Sequence, residues 1–323
     1  MSHCCVIGGA GFLGSHVVEA LVARERRVTV VGRSPVPSCP LPRGARYISG
    51  DYGERTFLVD TLKGMDEIIN LSYSTVPSTS FDDPIRDILS NLPAAVGLFE
   101  AASSLGVKRV VIVSSGGTVY GPAQKLPIPE EHPTNPISPY GVTKLAIEKY
   151  GFMFMRLKDL PIVTVRPSNA FGERQRPSSG QGFVATAMAS VLRRQEIFVY
   201  GCSGTVRDYV HVTDVATGIV AALESGKIGG LYNIGSGQGR TNRDVLDAIH
   251  PLARKAGLEP HITVLPARQF DVEANILDSS KLKQDTGWEP MVPFQTGIER
   301  TWDWFVKTLR QELSAARHPD RYV

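Results

Sequence analysis

The chain has 323 residues, 42% of them hydrophobic and 21% charged, with a formal net charge of +3. That length holds one large α/β domain or two lobes with ample core, and so small a charge argues against nucleic acid or a membrane surface as partner. Four cysteines, Cys4, Cys5, Cys39 and Cys202, form no Cys-x-x-Cys pair, so reduced thiols in a cytoplasmic protein are expected, and no metal site. No apolar run is long enough to span a bilayer, and with a first strand within three residues of Met1 no signal peptide is expected.

Cys4-Cys5-Val6-Ile7 reads as a buried strand, Gly8-Gly9-Ala10-Gly11-Phe12-Leu13-Gly14 as a glycine turn, residues 15–23 as a helix and Arg27-Val28-Thr29-Val30-Val31 as a second strand. In that context the glycines let the backbone approach a pyrophosphate, and the helix N-terminus offers it free N–H groups. Without a ligand the same glycines make only a tight turn. An NAD site usually closes its second strand with an acid for the ribose 2′-hydroxyl; here Gly32, Arg33 and Ser34 stand instead. Arg33 suits a 2′-phosphate, and hence NADP, or else lies over the adenine or points to solvent.

Residues 35–44 form a proline-rich loop. A third strand over 47–51 puts Asp51 at the adenine edge, and a fourth over 67–72 runs into the polar turn Ser72-Tyr73-Ser74-Thr75, where a cofactor would pass. Residues 84–105 read as a long amphipathic helix and 107–113 as a fifth strand. It leads into Ser114-Ser115-Gly116-Gly117-Thr118-Val119-Tyr120-Gly121, hydroxyls at the carboxyl end of a central strand, where open α/β sheets bind ligands. A sixth strand spans 162–166. Regular strand–helix alternation predicts a doubly wound parallel sheet. The expected division is a dinucleotide-binding domain over 1–166 and a smaller, irregular substrate lobe over 167–323, with some segments returning to the first domain. In that lobe 174–182 is loop, 197–200, 207–212 and 262–265 are strand-like, and helices occupy 214–223, 242–255 and 292–310.

Between the fifth and sixth strands lies Ser138-Pro139-Tyr140-Gly141-Val142-Thr143-Lys144, opening a helix that extends to 158. Positions i and i+4 share a helix face, so the Tyr140 phenol and the Lys144 ammonium can reach one small volume. A neighbouring cation favours the phenolate, which makes a tyrosine usable as a base. Phe152, Met153, Phe154 and Met155 on the far side divide between core and a subunit contact.

These motifs together resemble the extended short-chain dehydrogenase/reductase superfamily. So do Arg166-Pro167-Ser168-Asn169-Ala170-Phe171-Gly172, the segment from Arg207-Asp208-Tyr209-Val210-His211-Val212 to Ala216, Tyr232-Asn233-Ile234-Gly235-Ser236-Gly237, and Gly287-Trp288-Glu289-Pro290. The set is most similar to the nucleotide-sugar 4-epimerases typified by UDP-glucose 4-epimerase. That resemblance implies a UDP-sugar substrate, tightly bound NAD and a 4-keto sugar intermediate, with Tyr140 exchanging the 4-hydroxyl proton and Lys144 supporting it. It places the cofactor on Gly8, Gly11, Phe12, Leu13, Gly14, Arg33, Asp51, Tyr52, Leu71, Ser72, Ser74, Asn91, Tyr140, Lys144 and Pro167. It places the substrate on Thr118, Asn169, Phe198, Tyr200, Arg207, Arg268 and Asp271. A homodimer through the helices around 84–105 and 139–158 is implied as well.

The chain departs from the family where a serine or threonine should shuttle the proton beside Tyr140, because that position is Gly116. Thr118, two residues on and on the same face of an extended strand, is the expected replacement, unless it only packs or caps the turn. Ser115 would point away unless the strand has ended. Gly32-Arg33 keeps open an NADP-dependent 4-keto-sugar reductase, and Gly116 a dinucleotide-binding protein without catalysis. A dehydratase needs an Asp-Glu pair in the 115–118 stretch, which this chain lacks.

Overall fold

The computed structural model describes residues 1–177, 182–267 and 272–317. In chain order the first half comprises β1 (His3–Ile7), α1 (Phe12–Val22), β2 (Arg27–Gly32), β3 (Ala45–Ser49), α2 (Arg55–Leu62), β4 (Glu67–Asn70), α3 (Pro77–Asp82), α4 (Pro84–Ser104), β5 (Arg109–Val113), α5 (Pro139–Lys158) and β6 (Ile162–Pro167). The second comprises β7 (Asn169–Phe171), α6 (Phe183–Leu192), β8 (Glu196–Tyr200), β9 (Val206–His211), α7 (Val212–Ser225), β10 (Leu231–Ile234), β11 (Gly239–Arg240), α8 (Asn242–Lys255), β12 (His261–Leu265), β13 (Ala274–Asn275), α9 (Ser280–Thr286) and α10 (Phe294–Arg317).

Seven strands form one parallel sheet in the order β10-β6-β5-β4-β1-β2-β3. Strand alternation divides its side chains between two cores. Cys4 and Val6 of β1 pack with Val17, Val18 and Leu21 of α1 and Val215, Ile219 and Val220 of α7. Cys5 and Ile7 pack on the other face with Leu58 of α2, Leu98 and Phe99 of α4, and Ile147 and Phe154 of α5. Each such fully buried aliphatic side chain contributes about 1.5–3 kcal/mol, and both faces are lined with them, so the sheet is a rigid platform. A third core, with Val184 and Met188 of α6, Tyr209 of β9, Ile249 of α8 and Trp302 of α10, holds the second lobe together.

The structure differs from the sequence reading mainly in the second half. β10 is the seventh strand of the first sheet, pairing Leu231 with Thr164. Four residues with an asparagine inside give too weak a pattern to read as a strand. α6 is buried almost all round and so lacks a polar stripe to betray its period. Val212 opens α7 rather than ending a strand, because the His211 side chain caps that helix by accepting the Thr213 N–H. Among the described residues no helix is long and apolar enough to cross a membrane.

Candidate active site

The turn after β1 is built for a close approach. A Cβ on Gly14 would stand 2.2 Å from the Gly8 carbonyl oxygen, so only glycine lets α1 start this near the strand end. No side chain caps α1. Its first N–H groups are therefore left for a ligand, and the positive end of the helix dipole favours an anionic one.

Tyr140 and Lys144 fall on the first turns of α5, which Ser138 caps by accepting the Gly141 N–H. Arg166 of β6 holds Glu148, one turn below Lys144, through two bonds of 2.9 and 2.6 Å, a buried fork that fixes the helix against the sheet. The Lys144 ammonium donates to the Val113 carbonyl at 3.0 Å. It lies 4.2 Å over the ring of Tyr73 and 5.7 Å from that of Tyr140. Burial pulls Lys144 down to about 8, against the opposing charges of Glu148 and Asp87. Burial pushes the Tyr140 phenol above its ordinary range, and Asp87 adds to that; Ser115, as a hydrogen-bonding neighbour, works the other way.

That role for Ser115 follows the exception allowed for it, that the strand has ended. β5 ends at Val113. The backbone stays beside β6 through Gly116, whose N–H donates to Pro167 at 2.8 Å, and then turns, with Thr118 and Val119 N–H donating to the Ser115 carbonyl. Alternation therefore does not carry from Gly116 to Thr118. A Cβ on Gly116 would meet Leu277 at 2.4 Å and the Arg166 carbonyl at 2.9 Å: this position faces packed protein, and no hydroxyl fits there. The Thr118 hydroxyl is buried without a partner, as are those of Ser114 and Ser168 and the side-chain oxygen of Asn169. These four orphans lie just past the carboxyl ends of β5 and β6, where a polar ligand would complete them.

On the cofactor side, Tyr52 is buried, pushed up to about 12 by burial, and hydrogen-bonds Ser72. Leu71 donates its N–H to Ile7. Ser74 donates its N–H to the Asn91 side chain at 2.7 Å. Asp51 is exposed and accepts the Gly53 N–H. Arg33 is exposed. An acid at Gly32 would displace Tyr47, since a Cβ there would meet the Tyr47 hydroxyl at 2.7 Å, and that hydroxyl donates to the Ser34 carbonyl. On the substrate side, Asn169 stands at the start of β7 beside Tyr209 of β9. Arg207 donates to the Val206 and Val272 carbonyls. Phe198 and Tyr200 both lie on β8, with Phe198 exposed. Arg268 and Asp271 lie outside the described residues.

Three residues that frame the site are not among the expected site residues. Tyr73 lies in the polar turn expected to pass the cofactor, and Asp87 on the long helix after it. Asn233 joins the Tyr120 hydroxyl, Glu130, Ile128 and Asp278. All three depend on long-range contacts that local pattern does not encode.

Residues 4–235 match the model of the NAD dependent epimerase/dehydratase family. The chain belongs to this family. A UDP-glucose 4-epimerase of Mycolicibacterium smegmatis is 32% identical over 93% of this chain and 97% of its own length. Among solved structures, UDP-glucose 4-epimerase of Thermotoga maritima with UDP-glucose superposes with a TM-score of 0.88 at 33% identity, over 95% of this chain and 99% of that one. The Thermus thermophilus UDP-glucose 4-epimerase complex with NAD gives 0.87 at 34%, over 94% and 99%. The doubly wound parallel sheet, the NAD-dependent enzyme class and the extended short-chain dehydrogenase/reductase resemblance thus stand.

Proposed function

We propose that this chain is a nucleotide-sugar 4-epimerase that inverts the sugar C4 hydroxyl through a transient 4-keto sugar, acting on UDP-glucose and UDP-galactose or their N-acetylated counterparts. The observation that carries the proposal is Tyr140 and Lys144 on one face of α5, beside orphaned polar groups at the ends of β5 and β6. Near-full-length similarity to enzymes solved with UDP-glucose and with NAD supports the same reading.

The uncapped start of α1, with Gly8, Gly11 and Gly14, would hold the dinucleotide pyrophosphate; Asp51, Tyr52, Ser74 and Asn91 would line the rest of its path. When bound, the nicotinamide supplies reversible hydride exchange at the sugar carbon. The protein's own work is proton handling and orientation. Tyr140 takes the proton from the sugar O4 and returns it in the second half of the cycle. Ser115, next to the phenol, stabilises its ionised form, and the partnerless Thr118 and Asn169 bind sugar and diphosphate oxygens. Arg207, with Arg268 and Asp271, remains a candidate for the nucleotide end.

Exposed Ile85 and Leu89 on α4 and Phe152 and Leu157 on α5 support a homodimer through these helices. The absence of an acid at Gly32, with Arg33 exposed nearby, favours a second reading, an NADP-dependent 4-keto-sugar reductase. Turnover of UDP-sugars by the purified protein, with its bound cofactor quantified, separates the two. Epimerisation of UDP-glucose without added cofactor supports the first, whereas NADPH consumption on a 4-keto sugar replaces it with the second. Tyr140→Phe should lower kcat about 10²–10⁴-fold with the fold intact; full activity in that variant sinks both enzymatic readings.

A further inference from the structure

Asp87 is fully buried on α4, beneath the catalytic pair. Its carboxylate accepts the Tyr73 hydroxyl at 3.2 and 3.3 Å and also the Thr75 hydroxyl. One turn further along α4, Asn91 donates to the Asp87 carbonyl and accepts the Ser74 N–H, each at 2.7 Å. The 73–75 turn is thereby stapled to α4. The staple presses the Tyr73 ring edge-on against Tyr140, with centroids 4.7 Å apart, and lays it 4.2 Å beneath the Lys144 ammonium. A buried carboxylate is costly, and hydroxyls that merely close a loop do not require one.

We propose that Tyr73 and Asp87 are positioning residues for Tyr140 and Lys144: Asp87 anchors the Tyr73 ring beneath the Lys144 ammonium and edge-on against the Tyr140 ring. The chemistry stays with Tyr140. Asp87 acts through the others and sets the pH window in which they work. The groups around the pair come from every neighbouring element: Ser115 past β5, Tyr73 and Thr75 past β4, Asp87 on α4, Ser80 of α3 bonded to the Tyr140 N–H, and Thr143 and Glu148 on α5, the last already bound by Arg166 of β6.

The signs follow from charge. A neighbouring anion makes the phenol harder to ionise and the ammonium harder to discharge. Asp87→Asn keeps the shape and removes the anion, so both protons should leave at lower pH. The test has two arms on the protein purified with its cofactor. The first is the tyrosinate absorbance that Tyr140→Phe abolishes, titrated with and without Asp87→Asn; it needs no substrate and so stands even if the epimerase reading falls. The midpoint should drop by about one pH unit. The second is the pH profile of kcat on UDP-glucose, whose acid and alkaline limbs should both move down by a similar amount. An unmoved midpoint and unmoved limbs, whatever the loss in kcat, would reduce Asp87 to a packing residue and overturn the proposal. Should Asp87→Asn fail to fold, Tyr73→Leu decides. It removes the ring under Lys144 but keeps the Asp87 charge, so only the limb set by Lys144 should move down, and a profile matching the parent refutes the arrangement.

Discussion

Two polar clusters meet where the lobes join, and they differ in whether the protein completes their hydrogen bonds. Asp208 of β9 is fully buried and accepts four bonds: the Ser236 N–H and hydroxyl at 2.8 and 2.5 Å, and the Gly237 and Leu277 N–H groups at 3.2 Å each. A few residues away, Ser114, Thr118, Ser168 and Asn169 each keep a buried oxygen with no partner. The first cluster is finished by the chain itself; the second is left open. Burial and polarity are alike in the two, so hydrogen-bond satisfaction is where they differ.

Four substitutions test that distinction. Asp208→Ala strands three N–H groups and a hydroxyl, of which the Leu277 N–H is buried, so denaturant unfolding should show a loss of about 2 kcal/mol or more. A loss below about 1 kcal/mol would mean that the closed cluster is not structural. Ser115→Ala should cut kcat about 10–100-fold, whereas Thr118→Val, which breaks no bond in the free protein, should mainly raise KM. The reverse pattern would return the proton-shuttle role to Thr118. Smallest in stability is Asn169→Ala, expected to leave unfolding within about 0.5 kcal/mol of the parent while weakening sugar-nucleotide binding about 10-fold. Unchanged binding would remove Asn169 from the open cluster.

The same contrast marks what can be read from sequence. Parallel strands buried on both faces appear as short apolar runs, and β1, β2, β4, β5 and β6 are legible for that reason. Tyr140 and Lys144 are legible because helical spacing alone brings them together. Alternation says nothing of Ser115 and Thr118, because the backbone leaves the strand before them. Asp87 is invisible because a carboxylate on a surface-type helix ordinarily faces water, and only the fold turns this one toward Tyr73. β10 hides its role behind Asn233, a buried asparagine whose side chain ties together loops distant in sequence.

The place of β10 also bears on how the protein is made. The edge of β6 is covered by a strand that follows most of the second lobe's early segments in the chain, and α1 is covered by the equally late α7. During synthesis the dinucleotide half therefore cannot close when its own six strands have left the ribosome. Until residue 234 emerges, β6 presents a bare strand edge and α1 an uncovered apolar face, the features that invite mispairing. The parallel sheet and the second lobe thus close together, once residue 234 is available.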